Sequence, residues 1–313
     1  MNEGGLGILR LMSVVVQNMG FAVSVGALLC SQWLARGEST WQDLVSRRLV
    51  ATLRAASIAS LLASMLSFWA HCALMSDSAL QDAGPAVWSM IEETGFGHAW
   101  VVGAFFTFCI VALSLLWSGE HTRYRFAIWG AVAGVALARS NGGHPVDAGL
   151  FSLPVWADWL HLLAISTWVG LVLVTTYVVM PRVLDAPASE SQTSAIFVQS
   201  LSDVATYALI VLFSTGFFNG WRGINAPANL WTSTYGQVLL LKLGLVLIAA
   251  TLGGHNRFFE MPKLLSMLKS PSRTPPTALL RRFGAVLHIE AVVLVGALAV
   301  AAVLAASPLP GTT

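Results

Sequence analysis

The chain has 313 residues, of which 56% are hydrophobic and only 10% charged, with a formal net charge of +2. Water-facing exteriors need roughly 25% charged residues, so this composition excludes a soluble enzyme, a disordered chain and a nucleic-acid-binding module. Roughly 175 hydrophobic residues suffice for eight crossings of about 20 residues each through a hydrocarbon core.

Taken in chain order, eight apolar stretches predict transmembrane helices: Ile8 to Leu34, Val50 to Met75, His98 to Trp117, Phe126 to Arg139, Val155 to Met180, Val204 to Phe218, Val238 to Gly254, and Phe283 to Ala306. A spanning backbone must satisfy its own N–H and C=O groups, and these runs lack the alternation of barrel strands, so the fold class is all-α. The first stretch is flanked by Glu3 and a single Arg10, is too long for a signal-peptide core and has no small-residue cleavage site after it, so it is expected to be retained. The fourth is the shortest and is interrupted by Gly130 and Gly134. The whole of 1–313 is expected to form one integral membrane domain.

Lys and Arg set the expected orientation. With the N-terminus outside, the inner loops hold Arg36, Arg47, Arg48, Arg54, Arg123, Arg125, Arg182, Arg257, Lys263, Lys269, Arg273, Arg281 and Arg282, most of the 17 basic residues. Arg10, Arg139 and Arg222 lie outside, and Lys242 lies within or just outside the seventh span. Both termini are therefore expected to be periplasmic. The loop after the second span carries Asp77, Asp82, Glu92 and Glu93 with no Lys or Arg, which suits a face that gathers cations as well as a merely solvated loop. The Pro-rich stretch Ser270 to Thr277 reads as an inner loop.

An echo joins the two halves. The third span opens with Thr94-Gly95-Phe96-Gly97-His98 and the seventh with Ser233-Thr234-Tyr235-Gly236-Gln237, four spans apart in the same orientation. Two parallel four-helix repeats, 1–141 and 151–313, would produce this, and so would chance similarity between loop ends.

Ionisable groups in lipid-embedded helices are costly and mark functional sites. Of seven histidines, His121 and His255 fall at the inner surface and His288 about a turn into the eighth span, near Glu290. His71, His98, His144 and His161 all map to the outer ends of their helices or the adjoining loop. At the outer end of the second span, His71, Cys72 and Met75 share one helical turn and present nitrogen, thiol and thioether groups. Cu(I) prefers thiolate and thioether, and imidazole serves either oxidation state of copper; zinc accepts the same ligand types. Asp158 precedes His161 by three residues, placed either to ligate beside it or to accept its second ring N–H. Haem b, held axially by two histidines on facing helices, is the competing cofactor. The cysteines Cys30, Cys72 and Cys109 lie at three different depths, which rules out a disulfide framework.

Gly143-His144-Pro145, Asp158-Trp159-Leu160-His161-Leu162-Leu163-Ala164 and Trp168-Val169-Gly170 resemble signatures of the copper resistance D (CopD) membrane family. The stretch Thr234 to Lys242, then Asn256-Arg257, Arg281-Arg282 and Glu290, is similar to the same family's later half, so the likeness is strongest over 142–306. Pro145 stands where that family has Ala, Val169-Gly170-Leu171 has one Gly where two are common, and His98 replaces a basic residue. The resemblance implies a bacterial inner-membrane protein that handles periplasmic copper, often beside a small periplasmic copper-binding partner. The expected ligands are His144, His161 and Asp158, joined from the outer-face reading by His71, His98, Cys72 and Met75. Transport of Cu(I) or Cu(II), with import favoured, is the leading expectation; a haem- or copper-binding membrane oxidoreductase and a structural subunit of an assembly complex are the alternatives.

Overall fold

A computed structural model of the chain describes residues 3–34, 39–117, 122–269, 277–308 and 310. Arg36, His121 and the expected linker from Ser270 to Pro276 lie outside the described residues, as does the side chain of His144. Among the described residues every regular element is helical. The chain runs through α1 (Glu3–Leu34), α2 (Thr40–Met75), α3 (Gly84–Glu93), α4 (Gly95–Leu116), α5 (Thr122–Ser140), α6 (Leu153–Val174), α7 (Met180–Leu184), α8 (Ser191–Ile224), α9 (Asn229–Thr232), α10 (Thr234–His255), α11 (Met261–Leu268) and α12 (Thr277–Ala306).

Seven helical stretches among the described residues are long and apolar enough to cross a membrane, one fewer than the eight expected. The one that drops out is α5, which carries Arg123, Arg125 and Arg139 within its 19 residues. Several helices outrun their apolar cores. The sixth, expected from Val204 to Phe218, extends over Ser191–Ile224 and buries Phe197, Val198 and Leu201 well before the hydrophobic run begins. The acidic loop contains a helix of its own, α3, which ends on Glu92 and Glu93.

Two helices widen into a π-helical turn just before a proline: Thr175–Val179 ahead of Pro181 in α7, and Asn256–Glu260 ahead of Pro262 in α11. Proline lacks an N–H and its ring crowds the carbonyl four residues back, so the added residue per turn relieves the clash without ending the helix.

Long helices that follow one another in the chain are antiparallel. Ser60 of α2 donates to the Gln17 carbonyl of α1 at 3.1 Å, and Arg54 of α2 caps the far end of α4 through the carbonyls of Ser114 (2.9 Å) and Trp117 (3.0 Å). Along α4 and α5, Phe106 lies over Gly134, Gly103 faces Ala138 and Gly142 faces Ala99, so numbers fall on one helix as they rise on the other. The bundle thus has a histidine end, with Met75, Gly95, Ser140 and Leu153, and a basic end, with Arg47, Arg54, Arg123 and Arg182. Leu304 of α12 clusters with Ile224 and Leu239 at the histidine end, as does Leu6 of α1 with Ala73 and Ala83.

At the centre stands α6, buried on every side from Trp168 to Val174 and packed against α1, α5, α8 and α12. It crosses α1 at Gly170 and Gly26, where a Cβ on either glycine would strike the backbone of the other helix. Small residues allow this approach, and dispersion between backbones does the work that hydrophobicity cannot do in lipid. Several hydroxyls inside the bundle turn back onto their own helices, as Ser24 does to the Gly20 carbonyl (2.8 Å) and Thr107 to that of Gly103 (2.8 Å), which satisfies them without water.

The echo between the halves reaches into the backbone. Thr94 caps α4 by accepting from Gly97 N–H (2.9 Å) while donating to the Met90 carbonyl (2.7 Å). Ser233 caps α10 by accepting from Gly236 N–H (3.0 Å) while donating to the Asn229 carbonyl (2.6 Å). In both places a short helix precedes the cap, and a Cβ on the glycine would run into that helix's carbonyl, of Met90 in one case and Asn229 in the other.

Candidate functional site

The histidine end gathers His71, Cys72 and Met75 at the close of α2, His98 in the first turn of α4, His144 at the head of a 3₁₀ turn (His144–Ala148), and Asp158 and His161 near the start of α6. The side chains fall into two groups on different helix pairs. Between α2 and α4, the partly buried His71 meets Phe96 edge-on with ring centroids 5.1 Å apart, and Phe68 stacks on Trp100 at 4.0 Å. The His71 Nδ1 is buried without a hydrogen-bond partner among the described residues. Orphaned buried nitrogens are rare in folded chains, and a bound metal ion would satisfy one.

The turn that carries His71, Cys72 and Met75 forms as expected, yet its side chains part company. Cys72 is 0% exposed and Met75 67%. Residues three apart on a helix differ by about 60° in direction, and the edge of the buried arc falls between these two. His98 is exposed at the surface.

Between α6 and α8 the second group is a polar network built from five helices. Asn219 Nδ2 of α8 donates to Asp158 Oδ1 at 3.2 Å. Arg139 of α5 and Lys242 of α10 are the carboxylate's charged neighbours. Arg139 in turn donates from Nη2 to Asn18 Oδ1 of α1 at 2.5 Å. One turn deeper on α6, His161 Nδ1 pairs with Thr215 Oγ1 of α8 at 3.1 Å, and His161 lies against Gly216. Asp158 and His161 therefore have separate partners: the carboxylate balances two cations, and the imidazole is held by a threonine. Among the described residues, no three His, Cys, Asp or Glu side chains come together to hold one metal ion.

Asn18, Asn219 and the pairing of Arg139 and Lys242 with Asp158 are not apparent in the sequence pattern. The available signal is Lys242 itself, an ammonium inside an apolar run that demands a counter-charge. A second polar site lies nearer the basic end. Glu290 of α12 is 2% exposed and accepts from Trp168 Nε1 of α6 at 2.9 Å. Arg257 pairs with Asp203 (3.1 Å), and Glu260 with Arg282 (3.0 Å) and His255 (3.7 Å), at that same end.

Comparison with known proteins places this architecture. The family described as "Copper resistance protein D" matches residues 195–304, and "Copper resistance protein D-like, N-terminal domain" matches residues 1–148. The chain is 28% identical over 166 residues to Copper transport protein CutJ of Bacillus subtilis (strain 168), an overlap of 51% of this chain and 30% of CutJ. It is 23% identical over 243 residues to Inner membrane protein YebZ of Escherichia coli (strain K12), an overlap of 76% of this chain and 80% of YebZ. No solved structure matches the chain.

Proposed function

The chain belongs to the copper resistance D family, and on that premise we propose that it binds copper at its histidine end and carries it across a bacterial inner membrane toward the basic end. The family likeness across both halves carries this reading. The collection of imidazole, thiol and thioether groups at one end, with the orphaned His71 Nδ1 among them, supports it.

In this proposal α5 completes eight crossings, because it packs antiparallel beside α4 and leads from the basic end at Arg123 to the histidine end at Ser140. The distribution of Lys and Arg puts the basic end in the cytoplasm and the histidine end, with both chain ends, in the periplasm. The matching caps at Thr94 and Ser233 are what two repeated halves would retain. Copper is the cargo. His144 and His161 receive it, His71, Met75 and His98 form the approach with Cys72 buried behind them, and Asp158, one turn nearer the histidine end than His161, sets the charge there as counter-ion to Arg139 and Lys242. A small periplasmic copper-binding protein is the fitting donor to such a face.

The test is copper binding to the purified full chain compared with a His144→Ala/His161→Ala double variant. Loss of at least one tightly bound copper is expected, and undiminished binding overturns the site. An absorption spectrum of the same wild-type sample separates transport from redox chemistry, because a Soret band would assign the histidines to haem instead.

A further inference from the structure

A cavity of about 250 Å³ lies between α6, α8, α10, the π turn Asn256–Glu260 and α12, with Trp168, Leu209, Gly253, Asn256, Arg257 and Glu290 among its walls. Most of the lining is aliphatic or aromatic, and the polar exceptions are unevenly matched. Glu290 offers a carboxylate that receives one hydrogen bond, from the Trp168 indole. Asn256, 4% exposed, spends its NH₂ on the Phe283 carbonyl (3.3 Å) and leaves Oδ1 buried with no partner among the described residues. The other polar groups of the lining are spent elsewhere, Arg257 on Ser202 and Asp203 and Thr206 on the Ser202 carbonyl, so among the described residues the Glu290 carboxylate receives only the indole N–H and the Asn256 oxygen receives none.

Arg257 lines the same cavity, yet among the described residues no salt bridge reaches Glu290. The groups on the surrounding elements are occupied with one another: Arg257 of the π turn with Asp203 of α8, and Glu260 with Arg282 of α12 and His255 of α10. His288 turns outward against Tyr177, and Arg281 is exposed. The nearest titratable residues along α6 are His161 and Asp158, about two and three turns from Trp168 toward the histidine end and held in the other network. An ionised carboxylate enclosed among aliphatic groups without a cation is strongly disfavoured. Glu290 therefore favours a positive ligand, and the four oxygen-bearing side chains of the lining, Ser202, Thr206, Asn256 and Glu290, are too few for a hard metal ion, which takes about six or more oxygens. Copper(I) prefers sulfur and nitrogen. The ligand that fits one carboxylate and one free acceptor is a proton.

We infer that Glu290 and Asn256 form a proton-binding site, separate from the copper-facing end, in which Glu290 carries the proton and the Asn256 oxygen is the acceptor available to it. Hydronium gives its proton to the carboxylate and leaves as water, and release is the reverse. Asn256 owes its place to the π turn ahead of Pro262, since such turns redirect side chains out of the regular helical register. Gly253 keeps the approach open, because a Cβ there would stand 3.1 Å from Glu290 Oε1. The site goes beyond the copper reading and stands without it.

The experiment is infrared titration of the purified full chain in lipid nanodiscs, following the C=O stretch of protonated carboxylic acids, with no copper added. At neutral pH the wild type is expected to show such a band, Glu290→Gln to lose it completely, and Trp168→Phe to move it, because the indole N–H donates to that carboxyl group. A wild-type spectrum without the band, a band retained in full by Glu290→Gln, or one unmoved in Trp168→Phe overturns the assignment. Because copper is absent from every arm, failure here and failure of the copper site are read separately.

Discussion

Replacing Gly170 by Val is expected to prevent stable assembly of the bundle, at a cost of about 3 kcal/mol or more. Gly170 lies at the closest approach of α1 and α6, where the first atom of any side chain would meet the Ala22 carbonyl and the backbone of Gly26. Overpacked cores usually relieve strain by moving a side chain. Here the obstacle is main chain on the most enclosed helix of the fold, so α1 as a whole has to move, and its contacts with α2, α8 and α12 move with it. The measurement is thermal unfolding and folded yield in detergent, beside Gly244→Ala. Gly244 has open space around it, so alanine there should be neutral or stabilising by up to about 1 kcal/mol. If the two variants unfold alike, the glycine crossing does not hold the fold together.

Asp158→Ala carries the second large effect, a loss of about 3 kcal/mol, at the lower end of what breaking an enclosed charge pair costs. The substitution leaves Arg139 and Lys242 without their shared carboxylate and strands the Asn219 amide. The diagnostic arm is Asp158→Asn combined with Lys242→Met, which removes one charge of each sign. Chemical unfolding should show that Lys242→Met recovers a large part of what Asp158→Asn loses. Strict additivity of the two single variants would mean that the residues are not coupled.

These two sites differ in how far the sequence announces them. The signature around Gly170 is visible, but that its partner is Gly26 follows only from the crossing of helices 144 residues apart in the chain. Lys242 and Asp158 are visible as charges inside apolar runs. Their pairing is not, because α5, α6 and α10 come from separate parts of the chain, and nothing local in α10 specifies that Lys242 faces α6. Glu290 is quoted in the family likeness, yet its neighbour His288 carries the more familiar chemistry; the fold turns His288 to the surface and Glu290 inward. α8 outruns its apolar segment for a related reason. Gln192, Thr193, Ser200 and Asp203 dilute its hydropathy, while burial of Phe197 and Leu201 and the Asp203–Arg257 ion pair extend the helix regardless.

The scarcity of charge, the run of apolar stretches and the clustering of four histidines toward one end are properties of the sequence by itself. They are readable because a bilayer imposes one demand on every crossing, about 20 apolar residues with internally bonded backbone. The grouping of those histidines on two helix pairs, the separation of buried Cys72 from exposed Met75, the five-helix network around Asp158 and the acceptor-rich cavity at Glu290 were decided only in three dimensions. Each depends on the rotation of a helix about its axis and on which neighbour meets it. Packing between backbones and side chains sets both of these, and the hydropathy of a single helix carries almost no record of them.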